Sequence, residues 1–376
     1  MQKTIVISQR NLSRTTSGTP RKVHEEIRLL SELGHRVYAI SEKINRDAVR
    51  QSGGIPVKTL RWPVNSYVRR LFYDRQVRRL ARKIKSDLVI GHGDIINQDI
   101  LFIHNCVHLA HEQVYGRPMD SRYPRGRIHK AILSARHFKM LVCNSHLMKR
   151  DLTSRFGIPD EMTTVLYPEY DDTIFRMEDH SEHRNRFREI HDIGESEFVV
   201  GLITSGDFKK RNVELLIRAV HTLSKRESFR ILLVGEKNPA PAMALTRELG
   251  MEKNVIFAPC IDDVQMYYHG IDLFVIPALI EEFGRSVLEA MACGNPVIVS
   301  DRTGASEIME GPSRDFILND LTVESLAGLI SELHSRPELR RELGEINRNT
   351  AAGYTASRQA ERFSNIVEPF IAGSSG

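Results

Sequence analysis

The sequence PALIEEFGRSVLEAMACGNPV, at positions 277–297, carries the strongest fold signal in the chain. An apolar run at 273–276 precedes it, and the β-branched run 297–299 closes it. Between these runs lie a polar loop, a glycine and a stretch with helical spacing. A strand, a loop, a helix and a strand in this order are typical of a parallel sheet covered by helices. The stretch therefore predicts an α/β domain.

The same alternation extends outward from this stretch over almost the whole chain. Strand-like runs occur at 4–7, 37–40, 88–90, 100–103 and 140–143, and a second set follows at 198–202, 230–234, 255–257, 273–276 and 296–299. The two sets predict two doubly wound, Rossmann-like domains that face a cleft, over residues 1–175 and 190–354. The polar segment 167–197 is expected to be the linker between them. Ligands of such sheets bind beyond the carboxyl ends of the strands.

The charge of the chain is unevenly distributed. Overall composition is ordinary for a globular protein, with 41% hydrophobic and 27% charged residues among 376, which excludes a disordered or fibrous chain. Residues 1–170 contain 30 lysines and arginines against 15 aspartates and glutamates, whereas the remainder holds 23 against 33. The basic first half attracts polyanions such as nucleic acid, anionic lipid headgroups or a phosphorylated glycolipid, and charge alone does not choose among them.

The densest basic run, 69–85, has apolar residues at 73, 77, 80, 81 and 84, which is helical spacing. It predicts a basic amphipathic helix. Two interpretations stay open. Either the apolar stripe packs on the sheet and the basic face is solvated, or the helix contacts an anionic membrane or acceptor.

Other patterns argue against a membrane span, a metal centre and a disulfide framework. The longest apolar run is far shorter than the about 20 residues that cross a bilayer, and the N-terminal apolar run is too brief for a signal peptide. The cysteines lack the spacing of a zinc or redox site; they are Cys106, Cys143, Cys260 and Cys293. His104, His108 and His111 share one helical face, but no carboxylate completes a ligand set. We therefore expect free thiols, a cytoplasmic location and no metal.

The loop and helix start inside 277–297 have the chemistry of a phosphate site. Gly284 permits close backbone approach, and the N–H groups at the open helix start belong to Arg285, Ser286 and Val287. Glu289 follows Glu281 by eight residues, so its carboxylate is placed to bind a ribose while Glu281 faces a sugar. Alternatively, Glu289 pairs near the helix start, and Glu281 and Glu282 are solvated loop charges. Gly284 and the turn after it weaken this alternative.

The Glu-x7-Glu spacing, with Phe283 and Gly284 between the glutamates and LEAMACGNPV after them, resembles the retaining GT-B glycosyltransferases of the group 1 type. The similarity covers most of 198–320 and is weaker in the first half. It implies that Glu281 contacts the sugar of a nucleotide-sugar donor, that Glu289 contacts its ribose, and that Phe283 lies at the donor. It also implies that the final helix, 357–370, returns to the first domain, which residues 355–376 complete.

A cationic cluster is expected to neutralise the departing diphosphate, because negative charge develops there in the transition state. Lys209, Lys210 and Arg211 follow the strand at 198–203 and the turn at Gly206. The family carries an arginine and a Lys-Gly pair in this loop, whereas this chain has Gly206 and Arg211-Asn212. Lys210 and Arg211 are predicted as catalytic cations, with Lys209 and Gly206 at the donor. A solvated charge run is the alternative.

Two elements of the first half resemble the family more loosely. The segment 17–23 resembles its glycine loop, in which Gly18 brings backbone to the donor or the acceptor; a plain turn is the alternative. His104 resembles the histidine of a His-Asp pair and is predicted to contact the donor sugar, but Asn105 replaces the aspartate. The segment 167–175 resembles the family's Tyr-Asn-Gly-Val-Asp, with proline and glutamate in place of asparagine and glycine.

The resemblance extends to bacterial lipopolysaccharide-core and envelope-polysaccharide transferases. It implies metal-independent transfer, with retention, of a sugar from a nucleotide sugar to a hydroxyl of a glycan or anionic glycolipid, at the inner face of the membrane and with no cofactor beyond the donor. A nucleotide-sugar epimerase or phosphorylase of the same fold stays an alternative. A basic nucleic-acid-binding protein is another, although the sequence has no zinc-finger, basic-zipper or RNA-recognition motif. These motifs do not set the donor base, the sugar or the linkage.

Overall fold

The computed structural model describes residues 2–13, 18–64, 67–178, 180–224, 226–259 and 263–372. Residue 17 of the predicted glycine loop and Cys260 lie outside the described residues. The chain forms two compact units. The first contains residues 1–112, 116–167 and 359–376, and the second contains residues 113–115 and 168–358.

The first unit alternates strands with helices. Its strands are β1 (Thr4–Ser8), β2 (Asn11–Leu12), β3 (Arg36–Ser41), β4 (Lys43–Ile44), β5 (Ile55–Lys58), β6 (Leu88–Gly91), β7 (Ile100–Phe102), β8 (Met140–Cys143) and β9 (Thr163–Val165). Its helices are α1 (Gly18–Glu32), α2 (Arg46–Gln51), α3 (Tyr67–Ile84), α4 (Val107–Tyr115), α5 (Pro124–Ala135) and α6 (His146–Phe156). A 3₁₀ turn at Asp160–Met162 precedes β9.

The main sheet of this unit has seven parallel strands in the order β5-β3-β1-β6-β7-β8-β9, while β2 and β4 form a separate short pair. The chain winds one way from β1 to β5 and the other way from β6 to β9. The winding direction therefore changes between β1 and β6, and a doubly wound sheet binds its ligand at the carboxyl end of that point.

Helix α3 is the predicted basic amphipathic helix. Its residues Tyr73, Val77 and Ala81 are buried against Val6 and Ile40 of the sheet. The apolar stripe that the sequence shows is therefore used in packing, in agreement with the first of the two interpretations. Arg75, Arg78, Arg79 and Arg82 of the helix are exposed, whereas Arg69 is buried.

The second unit repeats the plan. Its strands are β10 (Phe198–Ile203), β11 (Phe229–Val234), β12 (Val255–Ala258), β13 (Leu273–Ile276), β14 (Val297–Ser300) and β15 (Ile317–Leu318). Its helices are α7 (His180–Ile190), α8 (Val213–His221), α9 (Ala240–Glu248), α10 (Gln265–Gly270), α11 (Arg285–Ala292), α12 (Val323–Ser335) and α13 (Pro337–Ala351). Short 3₁₀ helices lie at Arg226–Ser228, Gly304–Ile308, Gly311–Phe316 and Ala352–Tyr354.

The six strands of the second sheet are parallel, in the order β12-β11-β10-β13-β14-β15. The winding direction changes between β10 and β13, which places the loops after these two strands at the ligand-binding edge. The prediction of two doubly wound, Rossmann-like α/β sheets is confirmed.

The expectation that 167–197 is a linker is wrong for its middle, which forms α7 and packs on α10. Phe187 of α7 is fully buried, and a Cβ at Gly270 would overlap its ring. The sequence HSEHRNRFREI is so polar that one buried aromatic gives too little periodicity to predict a helix of the domain.

The predicted return of the C-terminal helix is confirmed. Helix α14 (Ala356–Ala372) crosses from the second unit, and its residues Phe363 and Val367 are buried in the core of the first unit beside Ile5 and Phe102. The final helix thus contributes apolar side chains to a domain that begins more than 300 residues earlier in the chain.

Cys106, Cys143 and Cys293 are buried, and none of the three forms a disulfide. Burial raises the pKa of Cys143 to about 12. Among the described residues, no helix combines the length and the apolar character needed to cross a membrane.

Candidate active site

The candidate site of the second unit lies at the carboxyl edge of β10 and β13. The loop after β10 carries Lys210, and the loop after β13 carries Leu279, whose N–H donates to the Lys210 carbonyl at 3.0 Å. The two loops are therefore joined at the point where the winding direction of the sheet changes. This is the expected ligand position in a doubly wound sheet.

Glu281 is held by the backbone on both sides. Its N–H donates to the Arg302 carbonyl, and its own carbonyl accepts from the Gly304 N–H, both at 2.9 Å. The Phe283 carbonyl accepts from Ala305 N–H at 2.7 Å. The loop after β13 is thus fixed to the loop after β14, so the Glu281 side chain starts from a rigid backbone.

Two carboxylates and two cations meet at this edge. Arg211 Nη2 lies 2.6 Å from Glu281 Oε2, and Lys210 Nζ lies 3.9 Å from the same oxygen. Lys210 Nζ also forms an ion pair with Glu282. We call these four side chains the charge network. Lys209 takes no part in these ion pairs within the described residues.

All four members of the charge network are at most 15% exposed. The alternative in which Glu281 and Glu282 are solvated loop charges is therefore wrong. Burial raises the pKa of Glu281, and the charges of Arg211 and Lys210 offset part of that shift. Charges buried in this way are costly to maintain, and shifted carboxyl pKa values cluster at functional sites.

Gly284 and the start of α11 are the residues predicted to bind phosphate. Gly284 is left-handed, with φ of 89°, and a Cβ there would lie 3.2 Å from Val287 and 3.3 Å from Glu281. Helix α11 has no side-chain cap. The Val287 N–H donates to the Gly284 carbonyl at 2.9 Å, so the amides of Arg285 and Ser286 are the better candidates for an anion.

Glu289 accepts a hydrogen bond from the Tyr268 hydroxyl at 2.8 Å. Burial and the neighbouring Glu289 raise the pKa of Tyr268 well above its usual value, so the phenol stays protonated and donates. Glu289 therefore does not cap its own helix; its carboxylate is oriented by α10. The sequence analysis missed Tyr268, because the stretch QMYYHG shows only the apolar spacing of a packed helix.

Glu236, which follows β11, was also missed. Its carboxylate accepts from the N–H groups of Asp207 and Phe208 at 2.6 and 3.1 Å, and Asp207 in turn accepts from the Lys210 N–H at 2.9 Å. Burial alone would raise the pKa of Glu236, but its backbone donors outweigh burial and lower it. Gly206, with φ of 126°, permits this turn. A carboxylate directly after a strand of the sheet was the available signal.

Arg285 is paired with the interdomain segment. Its Nη2 donates to Glu169 Oε1 at 2.9 Å, and Glu169 is 3% exposed. Glu169 stands where the family resemblance expects glycine. Glutamate in place of that glycine thus puts a carboxylate against the first residue of α11.

A second cluster lies at the carboxyl edge of the first sheet, after β6 and β7. His92 Nδ1 lies 3.1 Å from His104 Nε2, and His92 Nε2 lies 2.9 Å from Glu26 Oε2 of α1. Because a carboxylate only accepts, this distance favours the His92 tautomer with its N–H on Nε2, in which Nδ1 accepts from His104 Nε2. We call Glu26, His92 and His104 the histidine relay.

The remaining first-unit predictions have a simpler setting. Gly18 begins α1 with φ of 63°, and a Cβ there would have room, so the backbone angle is the reason for glycine. His108 packs its ring 5.5 Å from that of His129. Among the described residues, no group of three or more His, Cys, Asp or Glu side chains is placed to hold a metal ion.

Two doubly wound parallel sheets, a C-terminal helix that returns to the first unit, and a ligand edge carrying Glu-x7-Glu define the class as GT-B. Comparison with known families agrees. Residues 183–350 match the family described as glycosyl transferases group 1, and residues 16–173 match glycosyltransferase family 4. The first and the second half of the chain are thus each similar to a glycosyltransferase family.

Solved structures and curated relatives are similar over different lengths. WaaG, a glycosyltransferase involved in lipopolysaccharide biosynthesis, is 19% identical with a TM-score of 0.76 over 96% of this chain and 99% of its own. Anabaena Alr3699/HepE in complex with UDP and glucose is 17% identical with a TM-score of 0.77, over 98% of this chain and 100% of its own. These likenesses show the fold.

The D-inositol 3-phosphate glycosyltransferase of Segniliparus rotundus is 26% identical over 62% of this chain and 54% of its own length. Alignments with the other curated relatives also span about half of each relative, at 50% and 43% in two further cases.

Proposed function

We propose that the protein transfers a sugar, with retention, from a nucleoside-diphosphate sugar to a hydroxyl of a glycan or glycolipid acceptor. The observation that carries this proposal is the charge network beside Gly284. A departing diphosphate gains negative charge in the transition state, and buried, pre-oriented cations stabilise that charge far more than solvated ones. Lys210 and Arg211 are such cations, at the ligand edge of the second sheet.

Each member of the site has a part in the proposed reaction. The amides of Arg285 and Ser286 and the cations bind the diphosphate, Glu289 binds the ribose, and Glu281 binds the donor sugar. The bond from the anomeric carbon to phosphate oxygen breaks as the acceptor oxygen bonds to the same face of that carbon. The acceptor proton passes to the departing phosphate oxygen. Glu281 orients the sugar and does not act as a nucleophile.

His104 is proposed to contact the donor sugar, with its ring oriented by the histidine relay. Phe283, Lys209, Gly206 and Gly18 remain predicted donor contacts. Phe283 also stabilises its loop, because its backbone carbonyl accepts a hydrogen bond from the Ala305 N–H.

UDP is the donor base that we propose. Support comes from the similar protein HepE, whose structures are in complex with UDP and with UDP-glucose. An envelope polysaccharide or lipopolysaccharide acceptor is supported by the similarity to WaaG and by the basic first half of the chain. The cytoplasmic location, at the inner face of the membrane, stays a prediction that suits such an acceptor.

The test is a screen of UDP-, GDP- and ADP-sugars by thermal shift, followed by measurement of nucleoside diphosphate released with bacterial envelope glycolipids as acceptor. We expect stabilisation by UDP-sugars and acceptor-dependent UDP release. Glu281→Gln should abolish release, whereas the exposed control Glu214→Gln on α8 should not change it. Conversion of the donor sugar without acceptor would favour an epimerase, and release that survives Glu281→Gln would contradict the assignment.

A further inference from the structure

An exposed apolar cluster stands at the start of α3, on a face that the packing of that helix does not use. Five large apolar side chains within twelve residues are more than one-third exposed: Leu60 (73%), Trp62 (41%), Val64 (63%), Val68 (54%) and Leu71 (37%). Single exposed apolar residues need no explanation, but a contiguous group marks a binding surface.

The cluster is held together as one surface. The side chain of Gln76 on α3 donates to the Leu60 carbonyl at 3.0 Å and accepts from the Leu60 N–H at 2.9 Å. The Trp62 ring centroid lies 5.5 Å from that of Phe72 on the same helix. The strand-to-helix loop is therefore seated against α3, which brings Leu60 and Trp62 beside the first turns of the helix.

Arginines continue the same outward stripe of α3. Val68 and Leu71 are followed at helical spacing by Arg75, Arg78 and Arg82, with Arg79 beside them, and all are exposed. Within the described part of the chain, these four arginines form no ion pair. Their charge is therefore available to an external anion.

Of the other four charged residues of the helix, Arg69, Arg70 and Asp74 are engaged within the fold, and Lys83 is exposed. Arg69 pairs with Glu42, and Arg70 pairs with Asp94. Asp74, the acidic residue of α3, is buried and accepts from the Ile96 N–H at 2.7 Å. The outward stripe is thus purely cationic beyond its apolar start.

We propose that this face docks on an anionic lipid bilayer. We call it the docking face: Leu60, Trp62, Val64, Val68, Leu71, Arg75, Arg78, Arg79 and Arg82. The aliphatic side chains and the Trp62 indole enter the headgroup region, where indole is preferred, and the arginines bind lipid phosphates. A lipid surface fits this face better than an acidic protein, because exposed apolar side chains lie next to a stripe of arginines, which matches acyl chains next to phosphate headgroups.

The docking face has a defined position relative to the first sheet. The loop that carries Leu60 and Trp62 follows β5, so it lies at the carboxyl edge of the sheet, as do Gly18, His92 and His104 after β1, β6 and β7. A lipid-borne acceptor would reach this edge directly from the bilayer. Only this last step rests on the proposed function; docking itself does not.

The chain provides its own probe, because Trp62 is its single tryptophan. The full-length protein is mixed with vesicles of phosphatidylcholine containing one-third phosphatidylglycerol, and with phosphatidylcholine vesicles alone. With the anionic vesicles, we expect a blue shift of the tryptophan emission, protection from aqueous quencher, and co-sedimentation that salt weakens. Neutral vesicles should produce little of these three effects.

Two double variants test the apolar part and the cationic part of the docking face separately. Leu60→Ser with Val64→Ser, and separately Arg78→Gln with Arg82→Gln, should each weaken vesicle binding about tenfold or more. The matched control is Leu33→Ser, since Leu33 is 46% exposed at the end of α1, on the amino edge of the sheet. Circular dichroism confirms folding of each variant.

Three results would overturn the proposal: no binding to anionic vesicles, binding that both double variants retain, or charge-driven binding without any change in Trp62 emission. Thermal shift by UDP-sugar is measured on the same proteins. A variant that no longer binds vesicles but is still stabilised by UDP-sugar has lost only docking. If UDP-sugar does not stabilise the wild type, the result contradicts the proposed function and leaves docking unaffected.

Discussion

The ligand edges of the two sheets hold their charges in different ways. At the second sheet, Lys210 and Arg211 are buried and paired with Glu282 and Glu281, and the supporting loops are fixed by backbone hydrogen bonds. At the first sheet, the ligand edge carries the histidine relay, and the positive charge of this unit lies on exposed side chains of its helices. A fixed array suits one invariant group, the diphosphate, whereas a basic surface accommodates acceptors of varied shape.

The largest effects are expected from breaking the charge network. Lys210→Met leaves Glu282 buried without its cation, which should lower the free energy of unfolding by about 3–5 kcal/mol. Sugar transfer should fall by about a hundredfold to a thousandfold, because one charge that stabilises the transition state is lost. Urea unfolding and initial-rate kinetics measure the two quantities.

A double variant separates stability from function in the same network. Lys210→Met with Glu282→Met replaces the whole ion pair by apolar groups, which is often neutral for stability. We expect unfolding to return towards that of the wild type while transfer stays low. Recovery of transfer together with stability would mean that Lys210 has only a structural role.

Gly284→Ala should have the next largest effect. The left-handed backbone costs an alanine about 1–3 kcal/mol, and its Cβ presses on Val287 and Glu281. We expect lower thermal stability and weaker donor binding together. Gly328→Ala in α12 is the matched control, since an alanine there meets no atom within 4 Å and should be neutral or slightly stabilising.

The free energy of unfolding should fall in acid because of His129, which lies beside the ligand edge of the first sheet. Burial lowers the pKa of His129 to about 4, and its Nε2 lies 3.0 Å from the Asn105 carbonyl, next to His104. The folded state therefore favours the neutral ring. Its contribution is complete above about pH 6.5 and is lost as the pH falls towards 4, on the order of 1–3 kcal/mol. Urea unfolding at several pH values should show a shallower acid slope for His129→Gln, and an unchanged slope would contradict this account.

The smallest effect is expected at the histidine relay. Glu26→Gln should lower kcat about tenfold, the equivalent of one charge-assisted hydrogen bond, with little change in the donor KM. Glu25→Gln, one residue away on α1 and paired with Arg21 at the surface, is the control and should keep the wild-type kcat.

The sequence was sufficient for features encoded within short segments. Strands at 4–7 and 273–276, the helix after Gly284 and the buried stripe of α3 follow from alternation and helical spacing, and the glutamates followed from the resemblance. By contrast, the Tyr268 contact with Glu289 and the Glu26 contact with His92 join residues 21 and more than 60 positions apart. Such pairings depend on which strands are neighbours, which local periodicity does not encode. The docking face was hidden because three of its apolar residues, Leu60, Trp62 and Val64, lie before α3 in a segment without helical periodicity.

Arg211 provides the most direct test of the central claim that the second unit binds the diphosphate through its charge network. UDP affinity is measured by titration calorimetry for the wild type, Arg211→Gln and the exposed control Arg218→Gln. The account predicts affinity about tenfold or more weaker for Arg211→Gln, with unfolding still cooperative, and wild-type affinity for the control. Equal UDP affinity in all three proteins would contradict it.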